Sequence, residues 1–536
     1  MKRLLILCLA LALLLCGCGA NAVPTENTQI TDATENPTPE EPVDEGGFGM
    51  SYMPAYGFNP YTCSATINRA LFSLMYESLF TVSNQFRAEP LLCRTFTVSD
   101  DGMTYRFELV EGVRFSDGTA LTAADVVASI QAAQKSSFYA ARLSHIWGVT
   151  AEGDDTVVVL LDTPYENFCL MLDVPIVKAA TVEQTQPIGT GAYRLTGTRL
   201  TRNALWWQPQ PLVLDVDIIT LNAADDPNEV RDHFEFGGTD LVYCDPNSAA
   251  AVGYRCDYEV WEVPTTVMHY IGFNLRSGYF ANETLRKGVT FAIDRSVLLN
   301  NVYGGYALAA SLPCSPQSDL YDFSLSFDYD YDLQAFQAAV HNSGVLESAT
   351  YEEHTGIFLV CSQDPTRVAA ARAVAEVLTA AGLNITVSAL DREAYEDALE
   401  KHDFDLYFGE VRLTANFNLS EFFTSDGSLN YGSISDAGLA MLCTTALENS
   451  GDFVELCRQV MDSARICPVV FKSYVVCVTR GRIATMTPAV DCVLHNSANA
   501  RSLTDAEHIP EPSEDESGDA TDVTDTTEEP TDPPAG

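Results

Sequence analysis

Basic residues are scarce in this chain. Its 536 residues include 30 lysines and arginines against 74 aspartates and glutamates, which gives a formal net charge of −44 at pH 7. Nucleic acids and anionic membrane surfaces attract clusters of positive charge, so this composition excludes both as the main partner. An acidic surface is compatible with a cationic ligand, but the need to stay soluble explains the same excess of carboxylates.

Catalytic motifs are also missing. The chain has no GxSxG, HExxH or Walker-type loop, and none of its eight histidines lie three or four residues apart. Carboxylate pairs such as Asp225-Asp226 and Glu352-Glu353 are typical of a solvated surface at this composition. We therefore expect no enzyme, cofactor or metal site, and a secreted hydrolase is the least favoured function.

Closely spaced cysteines are absent beyond the N-terminal segment. Twelve cysteines follow Cys18, and none of them form a CxxC pair, which argues against a thiolate metal cage. Most stand singly in apolar surroundings, as Cys169 and Cys477 do. We predict that most are buried free thiols, and one or two disulfide bridges remain an open alternative.

The N-terminus carries an apolar run that is too short to cross a bilayer as a stable helix. Met1-Lys2-Arg3 precedes the apolar stretch 4–15, which is the order of a secretory signal peptide. The following Leu15-Cys16-Gly17-Cys18 is similar to a bacterial lipobox. Residues 1–17 are thus predicted to be a lipoprotein signal peptide, with Cys18 lipidated on the extracytoplasmic face of the cell membrane. An ordinary secretory signal with a chance cysteine is the alternative.

Two segments without lysine or arginine flank the rest of the chain. Residues 18–47 are rich in Thr, Pro and Glu, and residues 505–536 are rich in Pro, Thr, Asp and Glu. Such compositions cannot bury enough apolar surface to fold. We predict a disordered tether after the lipidated cysteine and a disordered acidic tail.

The clearest local pattern spans residues 99–127. A turn precedes a strand in which Tyr105, Phe107 and Leu109 alternate with polar residues. Thr122 and Asp125, three residues apart, form a capping box that predicts a helix over 123–133. Single helices are further expected over 65–79 and within 277–299.

The last third of the chain alternates strands and helices. Strands are predicted over 357–361, 385–390 and 404–408, with helices over 366–381 and 393–401 between them. This βαβαβ order predicts a parallel sheet with right-handed crossovers. Ligands of such sheets bind beyond the carboxyl ends of the strands, which points to the loop after Phe408.

The string SDDGMTYRFELVEGVRFSDGTALTAADVV, residues 99–127, closely resembles the signature of family 5 extracytoplasmic solute-binding proteins. These are the peptide/nickel-type receptors of ABC importers. Tyr76-Glu77-Ser78-Leu79, the PIGTGAY string of residues 187–193 and the helix around 285–295 are similar to further family motifs. Ala192 replaces the usual proline of the second motif, whose two glycines predict a crossover where backbone passes close to backbone.

The resemblance implies an α/β fold: two periplasmic-binding-protein-like lobes of the class II type, mixed sheets, a hinge and an extra subdomain. Lobe I would comprise residues 48–78, 186–273 and 481–500, lobe II the extra subdomain 79–185, and lobe III residues 274–480. The implied function is that of a lipid-anchored, monomeric receptor. It would capture oligopeptides and deliver them to an ABC permease with its ATPase. A non-peptide solute (a metal chelate, an opine or a sugar) and a non-transport sensor lipoprotein are the alternatives.

The loop after Phe408 is where the resemblance weakens. In peptide-binding members a similar loop carries an aspartate that pairs with the α-ammonium of the ligand. That position corresponds to Asn416, or less closely to Asn418, and an amide lacks the required charge. Arg412 would clamp a carboxylate or phosphate, or else have a structural role.

Further candidates come from the same loop and from strands similar to the cleft-lining strands of the family. Tyr52, Tyr270 and Phe417 would line an apolar cleft or belong to the core. Thr266 and His269 lie on a strand that resembles a cleft-lining one, although a structural histidine is the more common reading of His269.

Overall fold

The computed structural model describes residues 47–208, 216–248, 253–434, 436–494 and 501–502. The predicted signal peptide, Cys18, the tether up to residue 46, residues 495–500 of lobe I and the acidic tail lie outside the described residues. Within the described ranges, every helix is too short or too polar to cross a bilayer.

The helices are short or of medium length. They are α1 (Thr66–Arg69), α2 (Phe72–Met75), α3 (Ala123–Ala133), α4 (Pro227–Phe236), α5 (Glu283–Ala292), α6 (Arg295–Asn301), α7 (Phe323–Ser326), α8 (Leu333–Ser343), α9 (Pro365–Ala380), α10 (Arg392–Lys401), α11 (Ser420–Phe423), α12 (Ala437–Glu448) and α13 (Phe453–Ser463).

The strands alternate with these helices along most of the chain. They are β1 (Phe48–Tyr52), β2 (Phe80–Val82), β3 (Ala88–Pro90), β4 (Cys93–Val98), β5 (Thr104–Leu109), β6 (Ile146–Glu152), β7 (Thr156–Leu161), β8 (Tyr193–Thr196), β9 (Arg199–Arg202), β10 (Ile218–Ala223), β11 (Leu241–Cys244), β12 (Tyr258–Phe273), β13 (Ala307–Ala309), β14 (Gly356–Cys361), β15 (Ile385–Leu390), β16 (Leu406–Arg412), β17 (Ile466–Thr479), β18 (Ile483–Thr485) and β19 (Arg501–Ser502).

A four-stranded antiparallel sheet, in the order β4-β5-β7-β6, contains β5, the strand of the pattern at residues 99–127. The predicted alternation on β5 is confirmed, since Tyr105, Phe107 and Leu109 are buried. The predicted capping box is confirmed as well: the Thr122 backbone N–H donates to Asp125 Oδ2 at 3.0 Å, and α3 begins at the next residue. Local sequence therefore dictates this part of the fold.

The main sheet has eleven strands, in the order β15-β14-β16-β12-β17-β11-β1-β10-β9-β8, with β13 also paired to β17. Its two longest strands, β12 and β17, have 16 and 14 residues. They pair with β16 and β13 toward one end and with β11 toward the other. The two parts of the sheet are thus joined through β12 and β17.

The pairing of β12 with β17 shifts register near its middle. Pro264 lies opposite Ser473 and Met268 opposite Phe471, so three residues of β12 face one residue of β17. The Thr265 hydroxyl donates to the Lys472 carbonyl oxygen at 2.7 Å and accepts from the Val267 N–H at 3.0 Å. These bonds satisfy backbone groups that a bulge leaves unpaired.

The predicted βαβαβ unit is confirmed, with β14 parallel to both β15 and β16. The end predicted for its last strand is wrong, because β16 continues past Phe408 to Arg412. Gly409 reads as a strand breaker, but it pairs with Tyr270 of β12. A Cβ on Gly409 would lie 2.5 Å from Cζ of Tyr270, so the missing side chain leaves room for that ring.

Two helices predicted as continuous are each divided. The helix expected over 65–79 is split into α1 and α2, because i→i+3 hydrogen bonds, such as Leu71 N–H to Asn68 O, replace the helical pattern at the break. The helix expected within 277–299 is split into α5 and α6. Asp294 begins α6 by accepting from the Val297 N–H at 3.0 Å.

The Gly-Thr-Gly segment makes the predicted close crossover. The Gly191 N–H donates to the Met75 carbonyl oxygen at 3.0 Å. A Cβ on Gly189 would lie 2.1 Å from that same oxygen, and one on Gly191 would lie 2.5 Å from the carbonyl oxygen of Leu74. Only glycine allows the two backbones to approach this closely.

All twelve cysteines between residues 63 and 492 are free thiols, and nine of them are buried. This agrees with the prediction from their apolar surroundings. Buried thiols of this kind pack as small apolar side chains.

Candidate functional site

A cavity of 470 Å³ is lined by stretches of chain that are far apart in sequence. Its wall includes residues of β2, β3, β11, β16 and β17, the short helices α1 and α2, and the segment 490–494. It therefore lies between the two-stranded sheet of β2 and β3 and the part of the main sheet that contains β11, β16 and β17. Cavities of this size are typical of sites for small molecules.

Arg412, the last residue of β16, forms an ion pair with Asp491 in the wall of this cavity. A guanidinium nitrogen lies 2.5 Å from Asp491 Oδ1, and both side chains are partly exposed. Burial works to lower the pKa of Arg412, but the Asp491 carboxylate holds that pKa above its usual value. Arg412 is therefore positively charged in the cavity.

The backbone of Asp491 is held in an uncommon conformation. Its φ angle is 54°, in the left-handed region that residues other than glycine rarely adopt. Its N–H donates to the carbonyl oxygen of Pro264 at 3.1 Å. The turn that carries Asp491 is thereby attached to β12 beside its bulge.

A second ion pair, Arg142 with Asp173, lines the same cavity. Burial lowers the pKa of Arg142, but Asp173 and, at longer range, Asp491 reverse this effect and raise it. The Asp491 carboxylate thus raises the pKa of both Arg142 and Arg412, and the cavity wall carries two pairs of opposite charges.

Aromatic rings complete the wall. The rings of Tyr243 and Tyr474 lie 5.5 Å apart, and the Arg412 guanidinium lies 6.0 Å from the Tyr474 ring. Elsewhere in the lining, the Arg69 guanidinium lies 4.0 Å from the Phe138 ring. Flat apolar faces next to paired charges suit a small ligand that is itself both apolar and charged.

Glu77 is a buried carboxylate at the edge of the cavity. Its Oε2 accepts from the Thr190 hydroxyl at 2.7 Å, and its Oε1 accepts from the indole N–H of Trp206 at 3.1 Å. The Trp207 indole lies 3.0 and 3.1 Å from the two oxygens, and the Gln208 amide donates to Oε1 at 3.3 Å. This residue therefore connects the end of α2 to the Gly-Thr-Gly crossover and to the tryptophan pair.

The model of the bacterial extracellular solute-binding proteins, family 5 (middle), matches residues 87–429, more than half of the chain. The chain belongs to this family. The glutathione-binding protein GsiB of Escherichia coli O1:K1 is 28% identical to it over 272 residues. That match covers 47% of this chain and 53% of GsiB, so this solute-binding protein spans about half the length of the curated relatives it matches.

Two solved structures show the same fold. The ABC transporter substrate-binding protein CtaP of Listeria monocytogenes aligns over 86% of this chain and 99% of its own, with a TM-score of 0.70 and 19% identity. The oligopeptide-binding protein AppA of Bacillus subtilis, in complex with a nonapeptide, aligns over 86% and 99%, with a TM-score of 0.60 and 18% identity. The expected two-lobed, periplasmic-binding-protein-like α/β fold is thus confirmed.

Of the eight ligand-contact residues predicted in this solute-binding protein, Arg412 lines the cavity. The loop residues that follow it have other partners. Asn416 donates to the Tyr165 hydroxyl at 2.8 Å, and Asn418 accepts from the Ser420 N–H at 2.9 Å. Phe417 is fully buried, with its ring 5.0 Å from that of Phe86.

The remaining four candidates lie on β1 and β12, also outside the described lining of the cavity. Tyr52 stacks on Phe58 at 5.4 Å, and the buried Thr266 accepts from the Leu413 N–H through its carbonyl oxygen. The Tyr270 ring packs 5.0 Å from Phe422. Their roles in ligand binding stay predictions, and each has a structural partner.

His269 belongs to a buried network of charges. Its Nε2 lies 2.9 Å from Glu410 Oε2, and its Nδ1 lies 2.8 Å from the Tyr303 hydroxyl. Burial lowers the pKa of His269. Burial would raise the pKa of Glu410, but the bond to His269 and the charge of Lys472 hold it well below its usual value.

The ligand atoms of His269, Glu410 and Asp364 lie within 4.8 Å of one another, a geometry that could hold a metal ion. Both carboxylates already have cationic partners, however. Lys472 lies 3.4 Å from Glu410, and Arg367 lies 2.9 Å from Asp364. Two neighbouring cations oppose a third positive charge, so we interpret the cluster as an ion-pair network.

Residues that the sequence did not indicate form most of the charged wall: Arg142, Asp173 and Asp491. No motif surrounds them, and Asp491 follows the last long strand in a segment without a recognisable pattern. The one available signal was Pro264. A proline inside an apolar strand indicates a bulge, and it is at this bulge that the segment of Asp491 attaches.

Proposed function

We propose that this solute-binding protein is the receptor of an ABC importer, which captures a short peptide or a related small solute and delivers it to a membrane permease. The observation that carries this proposal is the cavity of 470 Å³ with two ion pairs and aromatic faces in its wall. The names of two relatives, glutathione-binding GsiB and oligopeptide-binding AppA, support a peptide-like solute. The chain itself would carry out no hydrolysis and would act as a monomer.

Capture would be coupled to closure of the lobes. Strands β12 and β17 join the two parts of the main sheet, and their register shift at Pro264 marks the position where the pair can bend. A ligand that contacts both sides of the cavity stabilises the closed form by its differential affinity for that form. The closed form would then dock on the permease and its ATPase.

Attachment to the extracytoplasmic face of the cell membrane would come from a lipid on Cys18. The Leu15-Cys16-Gly17-Cys18 string supports this assignment. A lipid on this cysteine would keep the rest of the protein near the permease. Among the sequence candidates, we retain Arg412 as the residue that contacts the solute.

A thermal-unfolding panel tests the proposal. The purified full-length protein would be heated with defined short peptides, with amino-acid mixtures of matched composition, and with nickel–histidine, opines and sugars. Binding at 100 times Kd stabilises by about 2.7 kcal/mol. For the roughly 440 residues that the structure describes, an unfolding entropy of about 2.1 cal/mol/K per residue converts this into a shift of about 3 °C.

The panel separates the role from the solute. A shift with peptides but not with the matched amino-acid mixtures supports peptide capture. A shift with non-peptide solutes alone would overturn the peptide assignment and keep the receptor role. The absence of any shift across all classes at millimolar concentration would contradict solute capture.

A further inference from the structure

In peptide-binding relatives, the loop that corresponds to the one after β16 carries an aspartate for the ligand ammonium, and here Asn416 takes its place. Asn416 is buried there and bonded to Tyr165 and Thr414. A different carboxylate occupies the cavity wall. Asp491 lies 2.5 Å from Arg412, and its charge also reaches Arg142.

We propose that Asp491 and Arg412 together bind an α-amino-acid head group, in which a free ammonium and a free carboxylate are attached to the same carbon. Asp491 would receive the ammonium and Arg412 the carboxylate. The inference rests on the proposed role as a solute receptor and names the chemistry of the solute. The ion pair between the two side chains is exchanged for two ion pairs with the ligand.

The separation of the two protein groups selects this class of ligand. Asp491 Oδ1 and the Arg412 guanidinium are in contact, so together they match a ligand whose two charges are also adjacent. The charged termini of an extended tripeptide lie roughly 10 Å apart, at about 3.3–3.6 Å per residue. One contacting pair cannot hold both of those termini. A free amino acid or a γ-linked glutamyl peptide presents both charges at one end.

Charge balance also favours such a head group. A zwitterion adds no net charge to the cavity and leaves each protein group with a partner of opposite charge. A ligand with only an ammonium would take Asp491 away from Arg412 and leave Arg412 unpaired. A ligand with only a carboxylate would take Arg412 away and leave Asp491 unpaired. Arg142 and Asp173 remain available for the rest of the ligand.

The backbone at Asp491 is a second, independent observation. A non-glycine residue with φ of 54° costs free energy, and such residues concentrate at functional sites. The bond from its N–H to Pro264 keeps the turn in this conformation. That hydrogen bond fixes the turn so that the carboxylate lies beside Arg412.

Two isomeric tripeptides provide the decisive probe. γ-Glutamyl-alanyl-glycine has both charges free on one carbon, whereas in α-glutamyl-alanyl-glycine that carboxylate is part of a peptide bond. The isomers have the same composition and net charge. Calorimetric titration of the wild-type protein should give roughly ten- to a hundred-fold tighter binding of the γ isomer, as expected for one additional charge-assisted interaction.

Variants locate the preference in the protein. Asp491→Asn and Arg412→Gln should each reduce the ratio of the two affinities to near one. The matched control is Asp257→Asn, which breaks an exposed ion pair with Arg480 outside the cavity and should keep the wild-type ratio. The Asp491→Asn protein should bind the N-acetylated γ isomer several-fold more tightly than wild type does. The reason is that Asp491 no longer competes with the ligand carboxylate for Arg412.

The outcomes separate this inference from the receptor role. Equal binding of the two isomers by wild-type protein overturns the inference and leaves peptide capture standing. Equal losses for the free and N-acetylated γ isomers in Asp491→Asn also overturn it, because they indicate a structural effect. No binding of either isomer or of any other peptide overturns peptide capture and the inference together. The comparison of isomers on wild-type protein requires no variant to fold.

Discussion

Substitution of Glu77 separates the charge of a buried carboxylate from its hydrogen-bond acceptors. Burial raises the pKa of Glu77, and the bonds from Thr190 and the two tryptophans only partly offset this effect. The negative charge is therefore a cost in the folded state. What stabilises the fold is that two oxygens satisfy four donors.

Glu77→Gln and Glu77→Leu should consequently differ. In Glu77→Gln an amide oxygen at the Oε1 position still accepts from both indoles and from Gln208, and the amide nitrogen donates to the Thr190 hydroxyl. The bond from the Trp207 indole to Oε2 is lost, so we expect a loss of about 1 kcal/mol. In Glu77→Leu two indole N–H groups lose their acceptor and cannot act as acceptors themselves. At about 1–3 kcal/mol for each of these two unsatisfied donors, the loss should be about 2–6 kcal/mol.

Urea denaturation followed by far-UV circular dichroism measures both losses, because the signal does not depend on the neighbouring tryptophans. Glu152→Leu and Glu152→Gln are the matched controls. Glu152 forms an exposed ion pair with Arg106, so either change should leave the stability close to that of the wild type. Equal destabilisation by Glu77→Leu and Glu77→Gln would refute the reasoning.

The pH dependence of the same variants checks the sign of the charge effect. A carboxyl whose folded-state pKa is raised contributes its full stability below its unfolded pKa and loses it as the pH rises through the folded pKa. Glu77→Gln should therefore gain stability relative to wild type as the pH rises from about 4. A gap that changes in the opposite direction would show that the hydrogen bonds to Glu77 outweigh its burial and favour the ionised form in the folded state.

Three further outcomes are expected. Burial works against ionisation of Asp117, but Lys178 lowers its pKa to about 2. Asp117→Asn should therefore cost about 1 kcal/mol of stability at neutral pH, measured by urea denaturation. The difference in stability between wild type and variant should disappear as the pH falls from about 4 toward 2. Gly191→Ala should cost several kcal/mol of stability or abolish soluble expression, because its Cβ would lie 2.5 Å from backbone atoms. The control Gly197→Ala has open space around its Cβ and φ of 61°, so it should cost about 1 kcal/mol. Similar losses for the two variants would contradict the close crossover. Cys18→Ala should abolish metabolic labelling with a fatty-acid analogue, and persistent labelling would show that the anchor is elsewhere.

Elements governed by neighbouring residues could be predicted from the sequence. The capping box of Thr122 and Asp125 and the alternation on β5 depend on contacts within a few residues. The division of the helix after Arg69 could not be predicted. It depends on Asn68, whose amide bonds to Met53 and Gly57, and on the crossover at Gly191, both distant in sequence.

The candidate site was predicted only in part for the same reason. The sequence predicted Arg412 in the loop after a strand ending at Phe408, whereas the structure makes it the last residue of that strand and part of the cavity wall. Its partner Asp491 is 79 residues further along the chain. No periodicity or motif links the two, and only the attachment of the last segment to Pro264 brings them together.

The long strands β12 and β17 also determine when the protein can become functional. The edge of β12 that pairs with β17 has no partner until residues 466–479 are available, although β16 can pair with its other edge earlier, and Asp491 follows still later. During export or synthesis the cavity therefore has no complete wall until more than nine-tenths of the chain has emerged. A ligand cannot assist folding before that point, and an incomplete chain exposes the apolar edge of β12, which makes it a target for proteases and chaperones.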